Sequence, residues 1–149
     1  MQIRPVETRD RAKWLGMRQE LWSDEAGLDT GIDDYFRSLN ANPNLKIITL
    51  VAQAPNGNLI GFAEVGTRAY AEDCETSPVA FLEGWYVQPE ARGSGVGRAL
   101  MGAAETWARA QGLQEFASDT WLHNEAGIRA HLALGFEEVE RLVCFRKLL

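Results

Sequence analysis

One continuous stretch, residues 81–112, constrains the fold more than any other part of the chain. It opens with an apolar run, FLEGWYV, whose aromatic and β-branched side chains favour a buried strand, and Pro89 ends that run. A glycine-rich turn follows, and from Val96 onward apolar residues recur at helical spacing as far as a capping Gly112. The sequence therefore predicts a strand that runs through a glycine-rich turn into a helix.

The turn has the chemistry of an anion site. The first N–H groups of a helix lack intrahelical partners and lie at the positive end of its dipole. Glycines allow an anion to approach the backbone closely, and Arg92 adds a positive charge, with Arg98 a candidate for a second. On the glycines alone, a pyrophosphate site and an ordinary strand-to-helix connection are equally compatible with the pattern.

The spacing of the glycines narrows the choice of ligand. A P-loop needs Gly-Lys-Ser/Thr, which is absent, and a dinucleotide fingerprint needs a glycine where Arg98 stands. The pattern that fits is Arg-x-x-Gly-x-Gly, formed by Arg92, Gly95 and Gly97. It resembles the acetyl-CoA-binding motif of the GNAT N-acetyltransferase superfamily. The segment NEAGIRAHLALGF, residues 124–136, is similar to that superfamily's second motif, so the resemblance covers nearly the whole chain.

Composition sets the broader limits. With 149 residues, 46% of them hydrophobic, the chain is expected to form one domain over residues 1–149. Its net charge of −6 argues against a nucleic-acid partner and suits a cationic substrate. We expect no membrane span and no export signal, hence a cytoplasmic protein. Cys74 and Cys144 are isolated, which predicts reduced thiols and no metal site.

The periodicity predicts a mixed α/β sheet with helices on its faces. Acidic loops are expected at 23–31 and 69–78, and a hairpin turn at 55–58. The expected helices are residues 8 to about 22, 32–39, 96–111 and 124–134, and the expected strands are 3–6, 46–54, 59–68, 81–87, 115–119 and, as a strand or bent hairpin, 136–147. The GNAT resemblance implies that the strands around Glu83 and Ser118 splay apart to admit the pantetheine arm.

Acetyl transfer to an amine needs a thioester held beside a neutral amine, a donor for the developing oxyanion and an acceptor for a proton. The resemblance implies that backbone N–H groups near Trp85–Val87 face the pantetheine and the thioester carbonyl. Gly84 is compatible with a β-bulge that would free such groups. The predicted acetyl-CoA site comprises Trp85, Tyr86, Val87, Arg92, Gly93, Ser94, Gly95, Val96, Gly97, Arg98 and Asn124.

Two carboxylates are the strongest candidates for chemistry. Glu83 and Asp119 each end an expected central strand beside apolar or small residues. Carboxylates in such places are costly to bury unless they are paired, and a cleft that binds a cation would account for both. An ordinary charge at the end of a strand is the alternative for each residue.

A closer resemblance narrows the function. The segments QELW, FLEGWYV, FASDT and HLALGFEEVER are similar to the aminoglycoside 6'-N-acetyltransferases, specifically to their short, dimeric enterobacterial-type branch. This implies Asp119 as the base, Glu83 as a contact to the amine, and Trp22, Tyr70 and Glu140 as further substrate-binding residues of a homodimeric resistance enzyme. The alternatives are a GNAT enzyme for a polyamine or a protein N-terminus, and a non-catalytic acyl-CoA-binding module.

One position departs from the superfamily pattern. Many GNAT enzymes place a tyrosine four residues before the glycine of the Gly-Phe pair, where it protonates the departing thiolate of CoA. The corresponding residue here is His131. A histidine is able to donate a proton near neutral pH, and it is equally suited to packing in the core, so both interpretations stay open.

Overall fold

The computed structural model describes all residues, 1–149, as a five-stranded sheet with four α-helices. Short 3₁₀ turns at Thr8–Asp10 and Pro89–Ala91 precede the first and third helices. The strands are β1 (Gln2–Pro5), β2 (Ile48–Gln53), β3 (Leu59–Arg68), β4 (Val79–Val87) and β5 (Phe116–Ser118), and the helices are α1 (Arg11–Leu21), α2 (Leu28–Ala41), α3 (Val96–Ala110) and α4 (Glu125–Ala133). None of the helices is both long enough and apolar enough to cross a membrane.

The strands lie in the sheet in chain order, β1 to β5. Strands β1 to β4 pair with one another in antiparallel fashion. A hairpin turn with Gly57 at φ 85° joins β2 to β3. β5 is parallel to β4, and only three residue pairs join them. The predicted mixed α/β architecture is confirmed.

Each face of the sheet is covered by a different set of helices. On one face, Trp14 of α1 and Ile32 of α2 pack with Phe62 of β3. On the opposite face, Leu100 and Met101 of α3 pack with residues of β2, β3 and β4. Successive residues of a strand point to opposite faces, so β3 and β4 supply side chains to both clusters.

The second helix is longer than predicted. α2 begins at Leu28, four residues before the expected start, and so includes part of the region expected to be an acidic loop. Gly27 starts the helix from a left-handed conformation (φ 76°), and the Thr30 hydroxyl donates to its carbonyl oxygen. Leu28 and Ile32 are buried one turn apart, an apolar pair that the surrounding acidic residues obscured in the sequence.

The prediction of a final strand is wrong. From Phe136 to the last residue the chain has no regular secondary structure. Residues 137–149 are all exposed and make no backbone hydrogen bond, because no strand of this chain lies beside them. Val143, Phe145 and Leu148 are 77%, 93% and 78% exposed, which is unusual for large apolar side chains.

Candidate active site

The glycine-rich turn presents free backbone donors. Gly93 and Gly95 have φ of 76° and 88°, a conformation that other residues rarely adopt, and a side chain at either position would point into open space. The Ser94 hydroxyl donates to the carbonyl oxygen of Ala91 and closes the turn. None of the N–H groups of residues 93–98 donates a hydrogen bond within the chain. This run of unpaired donors at the start of α3 fits an anionic ligand.

Gly97 allows the first turn of α3 to lie directly on Trp85. A Cβ atom at Gly97 would stand 2.6 Å from the Trp85 ring, closer than any real contact, so the helix needs glycine there. The indole Nε1 of Trp85 is buried and has no hydrogen-bond partner. Val96, the other predicted member of the turn, is buried in the cluster beneath α3. Trp85 therefore offers a buried donor beside the glycine-rich turn.

The remaining predicted cofactor residues hold the turn in place. Arg92 Nε donates to the carbonyl oxygen of Val87 at 2.9 Å, and Arg98 Nη2 donates to the carbonyl oxygen of Ala133 at 3.3 Å. Asn124 caps α4, because its Oδ1 accepts from the N–H of Gly127 at 3.0 Å. These contacts join the turn to the end of β4 and to α4.

The two central strands splay as the resemblance implied. β5 ends at Ser118, opposite Leu82, whereas β4 continues to Val87 without a neighbour on that side. The N–H of Gln88 donates to the carbonyl oxygen of Ile60, on the side of β4 that faces β3. The backbone N–H groups of successive residues in a strand point alternately to its two edges. The N–H of Val87 therefore faces the open edge, next to the glycine-rich turn.

Tyr86 faces away from that edge. Its ring stacks on Phe62, and its hydroxyl donates to the carboxylate of Glu20 on α1. Burial, and then the neighbouring Glu20 carboxylate, raise the pKa of Tyr86 to about 12. By the same alternation the backbone N–H of Tyr86 faces β3, so this predicted cofactor residue offers the open edge neither its side chain nor its N–H.

His131 is held by two hydrogen bonds. Its Nδ1 lies 2.7 Å from the carbonyl oxygen of Gly127, and its Nε2 lies 2.8 Å from the hydroxyl of Ser118. A carbonyl oxygen only accepts, so Nδ1 donates to Gly127, whereas the hydroxyl of Ser118 is able to donate to Nε2 or accept from it. The ring also packs edge-on against Trp85 and Phe136. Both ring nitrogens are therefore engaged within the chain, which favours the packing role.

Glu83 lies in the middle of β4, not at the end of a strand as predicted, and there it occupies a β-bulge and pairs with an arginine. Gly84 is opposite Glu64 and Leu82 is opposite Val65, so Glu83 has no partner on β3, as the glycine in this strand suggested. The Arg68 guanidinium, at the end of β3, contacts both carboxylate oxygens of Glu83 at 3.1 and 2.8 Å. It also lies 3.4 Å from the centre of the Phe81 ring.

Asp119 belongs to the same charged region. It directly follows β5, is exposed, and makes no hydrogen bond or ion pair within the chain. The pKa of Arg68 is raised, mainly by its hydrogen bonds to Glu83, and the charges of Asp119 and Glu72 add to the effect. Ser118 lies opposite Leu82 across β4 and β5, so the residues that follow them, Asp119 and Glu83, are close in register, and only Glu83 forms an ion pair with Arg68.

Trp22 contacts β4 at Gly84, the residue that follows Glu83. Its ring lies against Gly84, where a Cβ atom would come within 2.4 Å of it, and the Arg18 guanidinium stacks on it at 5.2 Å. Tyr70 follows β3 and is 68% exposed. Glu140 lies in the exposed segment 137–149 and makes no hydrogen bond or ion pair within the chain.

A cavity of about 240 Å³ opens beside Glu83 on the α1–α2 face. Glu64 lines it, accepting a hydrogen bond from Trp14 Nε1 at 2.8 Å. Arg18 Nε lies 3.1 Å from the same oxygen, an ion-pair distance, although its N–H is not aligned for a hydrogen bond. Burial raises the pKa of Glu64 despite both partners. No group of three or more histidine, cysteine or carboxylate side chains is arranged to hold a metal ion.

Sequence reasoning missed Arg68 and Glu64. Both lie on β3, and each meets its partners through the register of the sheet or the packing of α1. The alternation of β3 places Glu64 on the same face as Phe62, a signal that could have marked it as a buried acid. No comparable local signal marks Arg68.

Comparison with known proteins decides the family. Residues 14–136 match the acetyltransferase (GNAT) family. The chain belongs to the GNAT acetyltransferases. It is 52% identical to an aminoglycoside N(6')-acetyltransferase type 1 of Klebsiella aerogenes, over 97% of this chain and 95% of that protein. The family and the enzyme class predicted from the sequence are confirmed.

Solved structures of aminoglycoside 6'-N-acetyltransferases have the same fold as this chain. The apo aminoglycoside 6'-N-acetyltransferase AAC(6')-IG of Acinetobacter haemolyticus has a TM-score of 0.87 and 37% identity, covering 100% of this chain and 99% of that one. AAC(6')-Iy in complex with the bisubstrate analogue CoA-S-monomethyl-acetylneamine has a TM-score of 0.88 and 36% identity, covering 99% and 98%. The predicted GNAT fold is confirmed.

Proposed function

We propose that this protein transfers acetyl from acetyl-CoA to the 6'-amine of aminoglycosides and so confers resistance to them. The observation that carries the proposal is the 52% identity to the Klebsiella aerogenes enzyme over 97% of this chain. It is supported by the similar fold of AAC(6')-Iy, which was solved with an analogue that joins CoA to an aminoglycoside. These comparisons bear out the function predicted from the motifs.

Backbone N–H groups would bind acetyl-CoA. The free N–H groups of residues 93–98 would receive the pyrophosphate, and the open edge of β4 would receive the pantetheine arm. The N–H of Val87 faces that edge and would stabilise the oxyanion formed at the thioester carbonyl. One well-placed donor of this kind is typically worth about 3 kcal/mol.

The amine side falls to carboxylates. Glu83 would position the ammonium group, and Asp119, directly or through a water, would accept its proton. The neutral nitrogen then attacks the thioester carbon, the C–S bond breaks, and the electron pair leaves with sulfur. The nitrogen gives up its second proton to water or to the thiolate, which yields the amide and the thiol of CoA. The cavity beside Glu83 offers room for part of the substrate. Trp22 and Tyr70 are proposed as further contacts to the sugar rings.

Release of free CoA thiol tests the function. The protein is mixed with acetyl-CoA and one of kanamycin, tobramycin or spermidine, and the thiol is followed with time. We expect rapid release with both aminoglycosides and little with spermidine. Release with spermidine alone would keep the acetyltransferase and discard the resistance function. No release with any of the three would leave an acceptor not in this panel or an acyl-CoA-binding module.

We also propose that the protein is a homodimer and that residues 137–149 contact a second copy. This exposed segment carries Val143, Phe145 and Leu148 with nothing in its own chain to cover them. β5, the last strand of the sheet, pairs only with β4 and leaves its other edge open to an added strand. The substrate role proposed for Glu140, which lies in this segment, depends on where the segment docks.

Light scattering after gel filtration tests the dimer. The double variant V143E/F145E places two charges in the segment and is expected to elute with the mass of one chain, whereas the wild type has the mass of two. Leu45→Glu, which adds a charge at an exposed apolar residue outside the segment, is expected to remain dimeric. A wild type with the mass of one chain would contradict the proposal.

The cytoplasm is the proposed location, and the single domain over residues 1–149 remains a prediction. Both cysteines are free in the structure, as suits a reducing compartment.

A further inference from the structure

We propose that Arg68 is a resident cation that occupies the ammonium-binding position at Glu83 and that the substrate displaces it. The inference rests on the proposed function, because it assumes that Glu83 receives an amine of the substrate. It adds Arg68 as a residue that sets how strongly the acceptor site holds a cationic substrate.

The Arg68 guanidinium occupies both carboxylate oxygens of Glu83. Arg68 uses Nε and Nη2 to reach the two oxygens of Glu83, at 3.1 and 2.8 Å. This fork is the arrangement by which a guanidinium and a carboxylate satisfy each other best. An incoming ammonium therefore meets a carboxylate whose oxygens already accept charged hydrogen bonds, and it must replace or share the arginine.

The surroundings make the arginine displaceable. The two side chains are 43% and 41% exposed, and ion pairs this open to water are weak. Arg68 also has somewhere to rest, because its guanidinium already lies against the face of Phe81 at 3.4 Å. When a substrate ammonium replaces Arg68 at Glu83, the displaced guanidinium is therefore not left as an unpaired charge in a buried environment.

The local charge favours a polycation over the arginine. Arg68 pairs with Glu83, and Asp119 follows Ser118, which lies opposite the residue before Glu83, so a second carboxylate stands near the pair. A substrate with several ammonium groups offers more than one partner to this set. An amine with a single charge competes with Arg68 on roughly equal terms, so the resident cation selects for polycationic substrates.

The opposite role for Arg68 predicts an opposite effect. If the arginine were a fixed clamp that orients Glu83, its loss would weaken substrate binding. If it is a competitor, its loss strengthens binding. For an exposed pair we expect Arg68→Gln to lower the KM for kanamycin and tobramycin by about two- to fivefold, with kcat changed less than about twofold.

The control is an arginine of the same kind elsewhere. Arg109 pairs with Glu105 on the exposed side of α3, at 3.0 Å, and takes no part in either binding site. Arg109→Gln changes the net charge of the protein by the same amount as Arg68→Gln. It is expected to leave the KM for both aminoglycosides unchanged, which separates a local effect from general attraction of the polycation.

The experiment measures kcat and KM for acetyl-CoA and for each aminoglycoside by thiol release, together with the Kd of kanamycin by calorimetry in the presence of CoA. A lower aminoglycoside KM and Kd in Arg68→Gln, with an unchanged acetyl-CoA KM, supports the proposal. A higher KM, or an equal decrease in Arg109→Gln, overturns it.

Arg68→Lys keeps the test decisive if the glutamine variant does not fold. Lysine retains the charge but not the fork, so its KM should fall below that of the wild type by less than in Arg68→Gln. A KM at or above the wild-type value overturns the proposal. The proposed function fails separately: in that case the wild type itself is inactive with aminoglycosides, and the same variants are compared with the amine that it does acetylate.

Discussion

The two sides of the proposed active site are built from different materials. On the acetyl-CoA side, six consecutive backbone N–H groups, residues 93–98, are left free by a turn that only glycines can form. On the acceptor side, the working groups are the side chains of Glu83, Asp119 and Arg68, which come from three different strands or strand ends. One side is a local structure, and the other exists only when the sheet has assembled.

This difference separates what each side can tolerate. A backbone site depends on conformation, so it is damaged by any side chain that strains the turn and is indifferent to a distant change of charge. A side-chain site depends on charge and register, so it is altered by isosteric substitutions that leave the fold intact. The two sides should therefore fail in different kinetic constants.

The largest effect is expected from Asp119→Asn. The substitution keeps the size of the side chain and removes its ability to accept the proton of the ammonium group. Loss of a general base lowers the rate by about 10²- to 10⁴-fold, and kcat should fall by that amount while the KM for acetyl-CoA changes little. Initial rates at saturating concentrations of both substrates measure it.

Glu105→Gln is the matched control for that variant. Glu105 is an α3 carboxylate that pairs only with Arg109, and its removal changes the net charge equally. Its kcat should equal that of the wild type. A near-normal kcat in Asp119→Asn would remove the residue from its role as the base and leave it, at most, a binding contact.

Gly95→Glu should damage the other side alone. At φ 88° a residue other than glycine loses about 1–2 kcal/mol, and the new carboxylate would point into the open space that the pyrophosphate is proposed to fill. The distorted turn and the repulsion between the new carboxylate and the pyrophosphate both weaken binding of acetyl-CoA. We therefore expect its KM to rise about ten- to hundredfold, where tenfold is about 1.4 kcal/mol, and the aminoglycoside KM to change less than about twofold.

The control for Gly95→Glu is Gly102→Glu, which adds the same charge at an exposed position of α3 where a side chain meets nothing within 4 Å. Its acetyl-CoA KM should be that of the wild type. An equal rise in both variants would mean that the added charge, rather than the turn, is responsible, and the assignment of residues 93–98 would fail.

The same contrast explains how much the sequence could predict. The strand, the turn and the helix of residues 81–112 are local, so their pattern was visible, and β3 was predicted with its observed bounds. The pairing of Arg68 with Glu83 depends on a bulge in the register of β3 and β4, which no short-range pattern encodes. The wrong final strand had the right composition, but a strand also needs a neighbour, and this chain supplies none.

An ion pair outside both sides should leave activity unaltered and change stability instead. Arg4 Nη1 and Nη2 contact the two oxygens of Asp10 at 2.6 and 3.0 Å, and these side chains are only 11% and 9% exposed. Asp10 also accepts from the N–H of Glu7 at the start of the first helical turn. Asp10→Asn should lower the free energy of unfolding by about 1–3 kcal/mol, because it leaves the Arg4 charge without its partner. Both KM values should be unchanged.

The stability lost in Asp10→Asn should depend on pH. The hydrogen bonds from Arg4 lower the pKa of Asp10 in the folded protein, so the carboxylate stabilises the fold above the pKa of an ordinary aspartate. That contribution is lost as the pH falls through the folded-state pKa. Urea unfolding at pH 7 and again at acid pH should show the difference between wild type and Asp10→Asn shrinking as the pH is lowered. Asp33→Asn breaks the more exposed pair with Arg11, so it should cost less at pH 7; an equal loss at that pH would mean that enclosure of the Arg4 pair adds nothing.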